Sequence, residues 1–489
     1  MAGINQPLLA LPLSNQRQLN QVTRGSADFH PSVWGDYFLT YSSQPKEVDT
    51  QDSLEHQQLK EKLKNMLVEA THISSHKLHL INKIQRLGVS YQFEKEIETS
   101  LEHIFKAYDE FDDENDLFIV SLRFRLLRQE GYHVSANVFE KFRNSNGKFK
   151  ESLINMYNVE AMLSLYEASH LRVHGEQILE EALTFTTFHL ESMLPNMTNP
   201  LRSQVSEALK QPIHKRLIRL DAQKFISTFE PNGAQDSLLL KFAKLDFNLL
   251  QKEHQWELGH LTRWDASVVN ELPEYMRFCY IYLLDIYAEM ENELADKGES
   301  YRVNYARIEM KKLVGAYFLE RKWYHDGHNP TFEEYIKLAS LSAGYLMLAT
   351  TSLVGMQEDF VTKEVLDWMS SMPLILQASS IMARLLNDTT GHEFEHQREH
   401  IDSAVEIYMK EYGKSKEETI KELLEQVTHA WKDINQECLK PIIFPMPILT
   451  RVLNLTRALH YIYVDKDSFT HSNTMMKDFI TSLLVNPIM

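Results

Sequence analysis

An all-α protein of two helical domains is what this sequence predicts, and three observations predict it. Apolar residues recur at three- and four-residue spacing along most of the chain, as in helices that bury one face. Turn formers are scarce, with 16 Gly and 15 Pro in 489 residues, which disfavours a fold of many short strands. No sustained apolar–polar alternation is present, and the Asn-Gly pairs at 146 and 232 lie in polar loops rather than between apolar runs.

Taken in order, residues 1–25 (MAGINQPLLALPLSNQRQLNQVTRG) lack the basic-then-apolar layout of a signal peptide and are poor in Ser and Arg for a transit peptide. They are expected to be a flexible segment, and the compartment to be cytoplasmic. Residues 26–230 are expected to form the first helical domain, with EALTFTTFHLESML (181–194) as one of its amphipathic helices and SNGK (145–148) and LPNMTNP (194–200) as breaks. FEPNGAQD (229–236) reads as a joint, and residues 231–489 as the second domain. Its helices include KKLVGAYFLERKWY (311–324) and KELLEQVTHAWKDI (421–434), separated by HDGHNP (325–330) and KPIIFPMP (440–447). Residues 338–357 run for twenty positions without a charge, but Ser340, Ser342, Thr350, Thr351 and Ser352 interrupt them and Gly344 and Gly355 weaken them. A spanning helix is more apolar, so this stretch reads as a helix buried on all sides of a core, with no integral membrane span.

The net charge of −17 argues against a nucleic-acid binder, which needs clustered Lys and Arg. An anionic small substrate is still compatible, provided metal ions or a local Arg supply the positive field. Two cysteines, Cys279 and Cys438, give no disulfide framework and point to a reducing compartment.

The chemistry concentrates in LLNDTTGHEFE (385–395). On a helix Asn387, Gly391 and Glu395 are spaced by four, so each step drifts only ~40° around the axis and rises about 6 Å. Asn387 and Glu395 can reach one cation from one face, with a water at Gly391; such hard oxygens suit Mg²⁺, or Mn²⁺ in its place. Arg384 lies on the same side, where a guanidinium grips a diphosphate. From spacing alone the run also reads as a solvated acidic helix face. A rival overlaps it, since His392-Glu393-Phe394-Glu395-His396 spells the HExxH of zinc metalloproteases, although nothing marks a third ligand. In the first domain Asp112-Asp113-Glu114-Asn115-Asp116 reads DDxxD and Arg123-Phe124-Arg125 reads RxR. Helix capping is the expected role of the first and a basic exposed helix face that of the second.

Together these segments resemble the plant sesquiterpene synthases of the two-domain angiosperm type, along almost the whole chain. SADFHPSVWGDYFL (26–39), LRFRLLRQEGYHVS (122–135) and MLSLYEASHLRVHGE (162–176) carry the resemblance early, and LPEYMRFCY (272–280), GYLMLATTSLVGM (344–356), WKDINQEC (431–438) and PILTRVLNLTR (447–457) carry it later. The resemblance implies a catalytically silent N-terminal helical domain and a C-terminal class I terpenoid-synthase bundle. It implies a prenyl diphosphate substrate, farnesyl diphosphate, which loses diphosphate to Mg²⁺-assisted ionisation before cyclising in an apolar pocket. It assigns metal binding to Asn387, Asp388, Gly391 and Glu395 and diphosphate binding to Arg384. It also places Thr350, Thr351 and Ser352 on a kinked helix in the active-site wall, with Asp467 and Phe469 nearby. Two positions depart from the family pattern: Gly25 follows Arg24 where a second Arg is usual ahead of Trp34, and Phe469 stands where Tyr is usual.

The serious departure is at 264/265. Family members pass from a segment like ELGHLTRW (257–264) through helices bearing the true RxR and DDxxD motifs before reaching one like RWDASVVNELPEYM. This chain joins the two at a single Arg263-Trp264, so by resemblance roughly seventy residues are absent, up to about 100 Å of helix. With one acidic wall gone, the expectation on physical grounds is a catalytically inactive or severely impaired variant. Apolar faces left uncovered give an expected monomer a tendency to aggregate.

Overall fold

A computed structural model describes residues 50–69, 75–107, 115–154, 156–261, 274–357, 359–395, 402–463, 466–469 and 475–488. The described residues hold nineteen α-helices joined by turns and short 3₁₀ segments, with one isolated β-bridge, Arg143 to Phe149. The all-α expectation is met.

In the first half, α1 (Thr50–Glu69), α2 (Ser75–Arg86), α3 (Glu94–Lys106), α4 (Leu117–Gln129), α5 (Val159–Ser169), α6 (Gln177–Met193), α7 (Leu201–Lys210) and α8 (Ile218–Thr228) follow one another. Helix α4 is the centre, because LFIVSLRFRLLRQ is apolar on nearly every side. Asp116 starts it, accepting from the backbone N–H of Phe118 (2.9 Å) and Ile119 (3.2 Å), so the capping role expected of the acidic run holds for this residue. Residues 112–114 lie outside the described part. The basic run on α4 needs correction. Arg123 and Arg125 are each only 4% exposed, and Arg125 donates to Asn82 (2.5 Å) and Gln129 (3.1 Å) inside the core. A helix buried all round has no exposed face on which to display them.

Helix α9 (Ala234–Leu261) follows the FEPNGAQD joint, yet its Leu239, Phe242, Ala243 and Phe247 belong to the first core. Further along, Asn248, Gln251 and Gln255 donate to the carbonyls of Ile488, Leu483 and Leu484. The Leu483 and Leu484 carbonyls are the open C-terminal end of the last helix, α19 (Met475–Leu484), and Ile488 lies just beyond it.

The second core is built by α12 (Phe332–Ser342), α13 (Tyr345–Val354), α14 (Lys363–Ser370), α15 (Leu374–Glu395), α16 (Ala404–Tyr412), α17 (Lys416–Glu437) and α18 (Met446–Ile462), with α15 packed on both α17 and α18. The uncharged stretch 338–357 is therefore not one buried helix. It breaks between α12 and α13, where Gly344 takes φ 79°, a left-handed conformation that glycine adopts without penalty. No helix among the described residues is long and apolar enough to cross a membrane.

Two helices flank this core, α10 (Glu274–Ala295) and α11 (Tyr301–Asp326). The N-terminal part of α10 and the C-terminal part of α11 present Tyr280, Leu284, Val314, Tyr317 and Phe318 to solvent, the last 72% exposed. The two halves meet through a polar seam. Asn435 donates to the carbonyls of His170 (3.1 Å) and Arg172 (2.9 Å) and bonds the His214 ring (2.8 Å), while Arg457 donates to the His214 carbonyl (2.9 Å). Buried amides and guanidinium are acceptable there because each finds a partner.

Candidate active site

Helix α15 carries the site. Its apolar residues, among them Leu376, Met382 and Leu385, lock it into the second core and fix how its last two turns are presented. Asp388 is fully buried. Its Oδ2 accepts from the Tyr335 hydroxyl of α12 (2.7 Å) and from the backbone N–H of Ala404, the first residue of α16 (2.8 Å), and its Oδ1 lies 3.4 Å from Arg384. A carboxylate at a helix N-terminus is favoured by the orphan N–H groups and the dipole there. Burial, with the Asp388 charge adding to it, holds the Tyr335 phenol well above its ordinary range, so it remains a donor. Asp388 therefore ties α15 to α12 and α16. The residue to which the sequence assigns metal binding thus has both carboxylate oxygens facing protein donors.

Arg384 is clamped from several sides. Its Nε donates to the Ala339 carbonyl (3.2 Å) and its Nη2 to Ser342 Oγ (2.9 Å), both in the last turn of α12. Its Nη1 lies 3.4 Å from Asn387 Oδ1. The Ser342 hydroxyl in turn donates to the buried carboxylate of Glu320 on α11. Asn387 is half-buried and also meets Tyr463, whose phenol is pushed up by burial first and then by the charge of Asp467, with the Asn387 contact acting the other way. Arg384, Asn387, Tyr463 and Asp467 are thus neighbours. Gly391 is buried one turn further along, and Glu395 ends α15 with its side chain outside the described part.

The remaining expected residues divide. Thr350 is buried with its hydroxyl unpartnered and Thr351 is half-buried, whereas Ser352 is exposed and returns its hydroxyl to the Ala349 carbonyl (2.7 Å). One hundred degrees per residue cannot turn three consecutive side chains to one wall. The expected kink is likewise displaced: α13 is continuous through 349–352, and the break lies at Gly344. Phe469 is 71% exposed, so it does not line a wall here, while Asp467 caps the same turn by accepting from the Phe469 N–H (3.0 Å). Of the HExxH run, His392 turns its Nδ1 to Glu406 at 2.5 Å, the capping-box acid of α16. His396 lies outside the described residues, as does the 264/265 join. Sequence reading missed Tyr335, Ser342, Glu320 and Tyr463; only tertiary packing brings them to α15.

The described chain is thus an all-helical protein whose second core presents an Arg and an amide oxygen one turn apart on α15. Residues 33–209 match the family model for the terpene synthase N-terminal domain, and residues 258–433 that for the terpene synthase family metal-binding domain. The chain belongs to the terpene synthase family. It is 44% identical to (−)-germacrene D synthase of Vitis vinifera, with 96% of each chain covered, and 44% identical to (E,E)-germacrene B synthase of Solanum habrochaites, covering 95% of this chain and 98% of that one. Among solved structures it is similar to isoprene synthase of grey poplar in complex with three Mg²⁺ ions and dimethylallyl-S-thiolodiphosphate, at TM-score 0.78 and 25% identity over 93% of this chain and 99% of that one. Limonene synthase shares the fold at TM-score 0.84. The germacrene D synthase alignment runs over 541 positions, at least 52 more than the 489 residues of this chain, so that relative carries residues for which this chain has none.

Proposed function

We propose that this chain is a sesquiterpene synthase by descent, with farnesyl diphosphate as its substrate, that has kept one side of a two-sided diphosphate site and turns over poorly if at all. Arg384 grips diphosphate oxygens. Asn387 and Glu395 offer oxygen donors to Mg²⁺ or Mn²⁺ from one face of α15, with Gly391 leaving room for a water. The donor chemistry fits such an ion, since Asn387 and Glu395 both offer oxygen. Bound there, the ion would offset the negative charge that grows on the departing diphosphate. Asp388 keeps the ligand-bearing turn seated on α12 and α16. In the same reading the chain is a cytoplasmic monomer with a tendency to associate.

What carries the impairment is the length of the relatives. An alignment longer than the chain itself places at least 52 residues where this protein has none, and the resemblance puts the opposing acidic wall in that stretch. Without it a diphosphate is neutralised from one side only. Each ~1.4 kcal/mol of lost charge stabilisation slows ionisation about tenfold. Incubating the purified chain with farnesyl diphosphate and Mg²⁺ and analysing the volatiles tests the proposal. The expected result is no sesquiterpene above a boiled control. Sesquiterpene formation that disappears in Asn387→Ala and Glu395→Ala would overturn the impairment while supporting the site.

A further inference from the structure

We propose that Glu320, on α11, is a positioning residue for the diphosphate-binding guanidinium of Arg384, acting through the Ser342 hydroxyl. This rests on the reading of Arg384 given above. Glu320 is 7% exposed and Ser342 1%, on a helix whose neighbouring Tyr317, Phe318 and Leu319 face solvent. Burying the acid while its apolar neighbours stay outside is the reverse of what transfer energies favour, so the carboxylate needs a specific reason to be inside. Its partner is the Ser342 hydroxyl, which points its proton at Glu320 and so turns a lone pair toward Arg384 Nη2, 2.9 Å away. A hydroxyl has only one proton. With Glu320 removed, Ser342 can swing that proton to the Ala339 carbonyl, 3.2 Å away and already an acceptor for Arg384 Nε. Two of the contacts that orient the guanidinium are then disturbed together. Glu320 also places a negative charge near Arg384, whose contact with Asp388 spans 3.4 Å.

The test uses the full chain with Glu320→Ala, Glu320→Gln, Ser342→Ala and Arg384→Ala, each checked for an unchanged melting profile. Binding of inorganic diphosphate in the presence of Mg²⁺ is measured by calorimetry. Glu320→Ala and Ser342→Ala are expected to weaken it about tenfold, and Glu320→Gln to retain it within about threefold, because its amide oxygen still accepts from Ser342. A second measurement needs no ligand: the rate of phenylglyoxal modification at Arg384, followed by mass spectrometry. It is expected to rise several-fold in Glu320→Ala and Ser342→Ala and to stay at the parent rate in Glu320→Gln. If Arg384→Ala leaves diphosphate binding intact, or the parent chain binds none, the reading of Arg384 fails, and the modification rates alone decide the Glu320 link. If Arg384→Ala abolishes binding while Glu320→Ala matches the parent in both measurements, the positioning role is wrong. Should Glu320→Ala not fold, equal modification rates in Ser342→Ala and the parent overturn it.

Discussion

Replacing Asp388 with Ala separates a fastening role from a ligand role. The substitution strands the Tyr335 hydroxyl, now 2.7 Å from Asp388, and the Ala404 N–H, now 2.8 Å away, and it takes the carboxylate from beside Arg384. Each buried donor left without a partner costs about 1–3 kcal/mol. Losing one member of a buried ion pair costs about 3–5 kcal/mol where the pair is close, and at 3.4 Å the Arg384 contact belongs near the bottom of that range or below it. The donors share one site, so the costs overlap, and a destabilisation of about 3–5 kcal/mol is expected for the second core. Urea unfolding followed by tryptophan fluorescence reads this directly, since Trp368 and Trp431 belong to that core or pack against it. Asp388→Asn should lose less, about 1–3 kcal/mol, because one amide oxygen can still accept from either donor. Asn387→Ala, which strands no buried donor, should fall within ~1 kcal/mol of the parent. A parent-like unfolding midpoint for Asp388→Ala, combined with weakened Mg²⁺-dependent diphosphate binding, would refute the fastening role and restore Asp388 as a ligand.

Acid should loosen the seam between the halves. Burial holds the His214 imidazole down at about 3, helped by Arg457 and opposed by its Asn435 contact, and burial with Lys215 holds His460 at about 3 as well. Geometry agrees for His460, whose Nε2 accepts the Trp431 indole N–H at 3.0 Å and so must be unprotonated. Between their ordinary range near 6.5 and about 3 the unfolded chain binds more protons than the folded one, so stability is complete above that window and falls through it as pH drops. The ceiling is about 1.4 kcal/mol per pH unit for each ring, and an unfolding midpoint that does not move from pH 7.5 to 5.0 would contradict the assignment. The uncovered apolar residues on α10 and α11 should drive self-association. Gel filtration is expected to give concentration-dependent species that Phe318→Lys with Val314→Glu shifts to monomer, and a parent chain that is monomeric at all concentrations would count against it.

Periodicity sufficed for the all-α class because it records which face of each helix is buried. It could not say which helices are buried on every face. Arg123 and Arg125 were therefore read as a basic surface, whereas both are buried and Arg125 donates to Asn82 and Gln129. The site was legible where its residues share one helix, as Arg384, Asn387 and Gly391 do on α15. The fastening contacts of Asp388 were not legible, because its partners come from 53 and 16 residues away, on α12 and α16. Glu320 carried no signal at all, since an acid in FLERKWY looks like any exposed helical glutamate until Ser342 is brought to it. The break before Tyr345 had its cue in Gly344, which was noted only as a weak point in an apolar run.

Helix α9 belongs by packing to what precedes it, although the polar joint that starts it had suggested the opposite. Its Leu239, Phe242 and Phe247 complete the first core before the chain reaches Leu261. The shared Arg263-Trp264 pair comes just after that point and well before the first residue of the second core, Tyr335. Shortening the chain at that point spares the residues that build both cores.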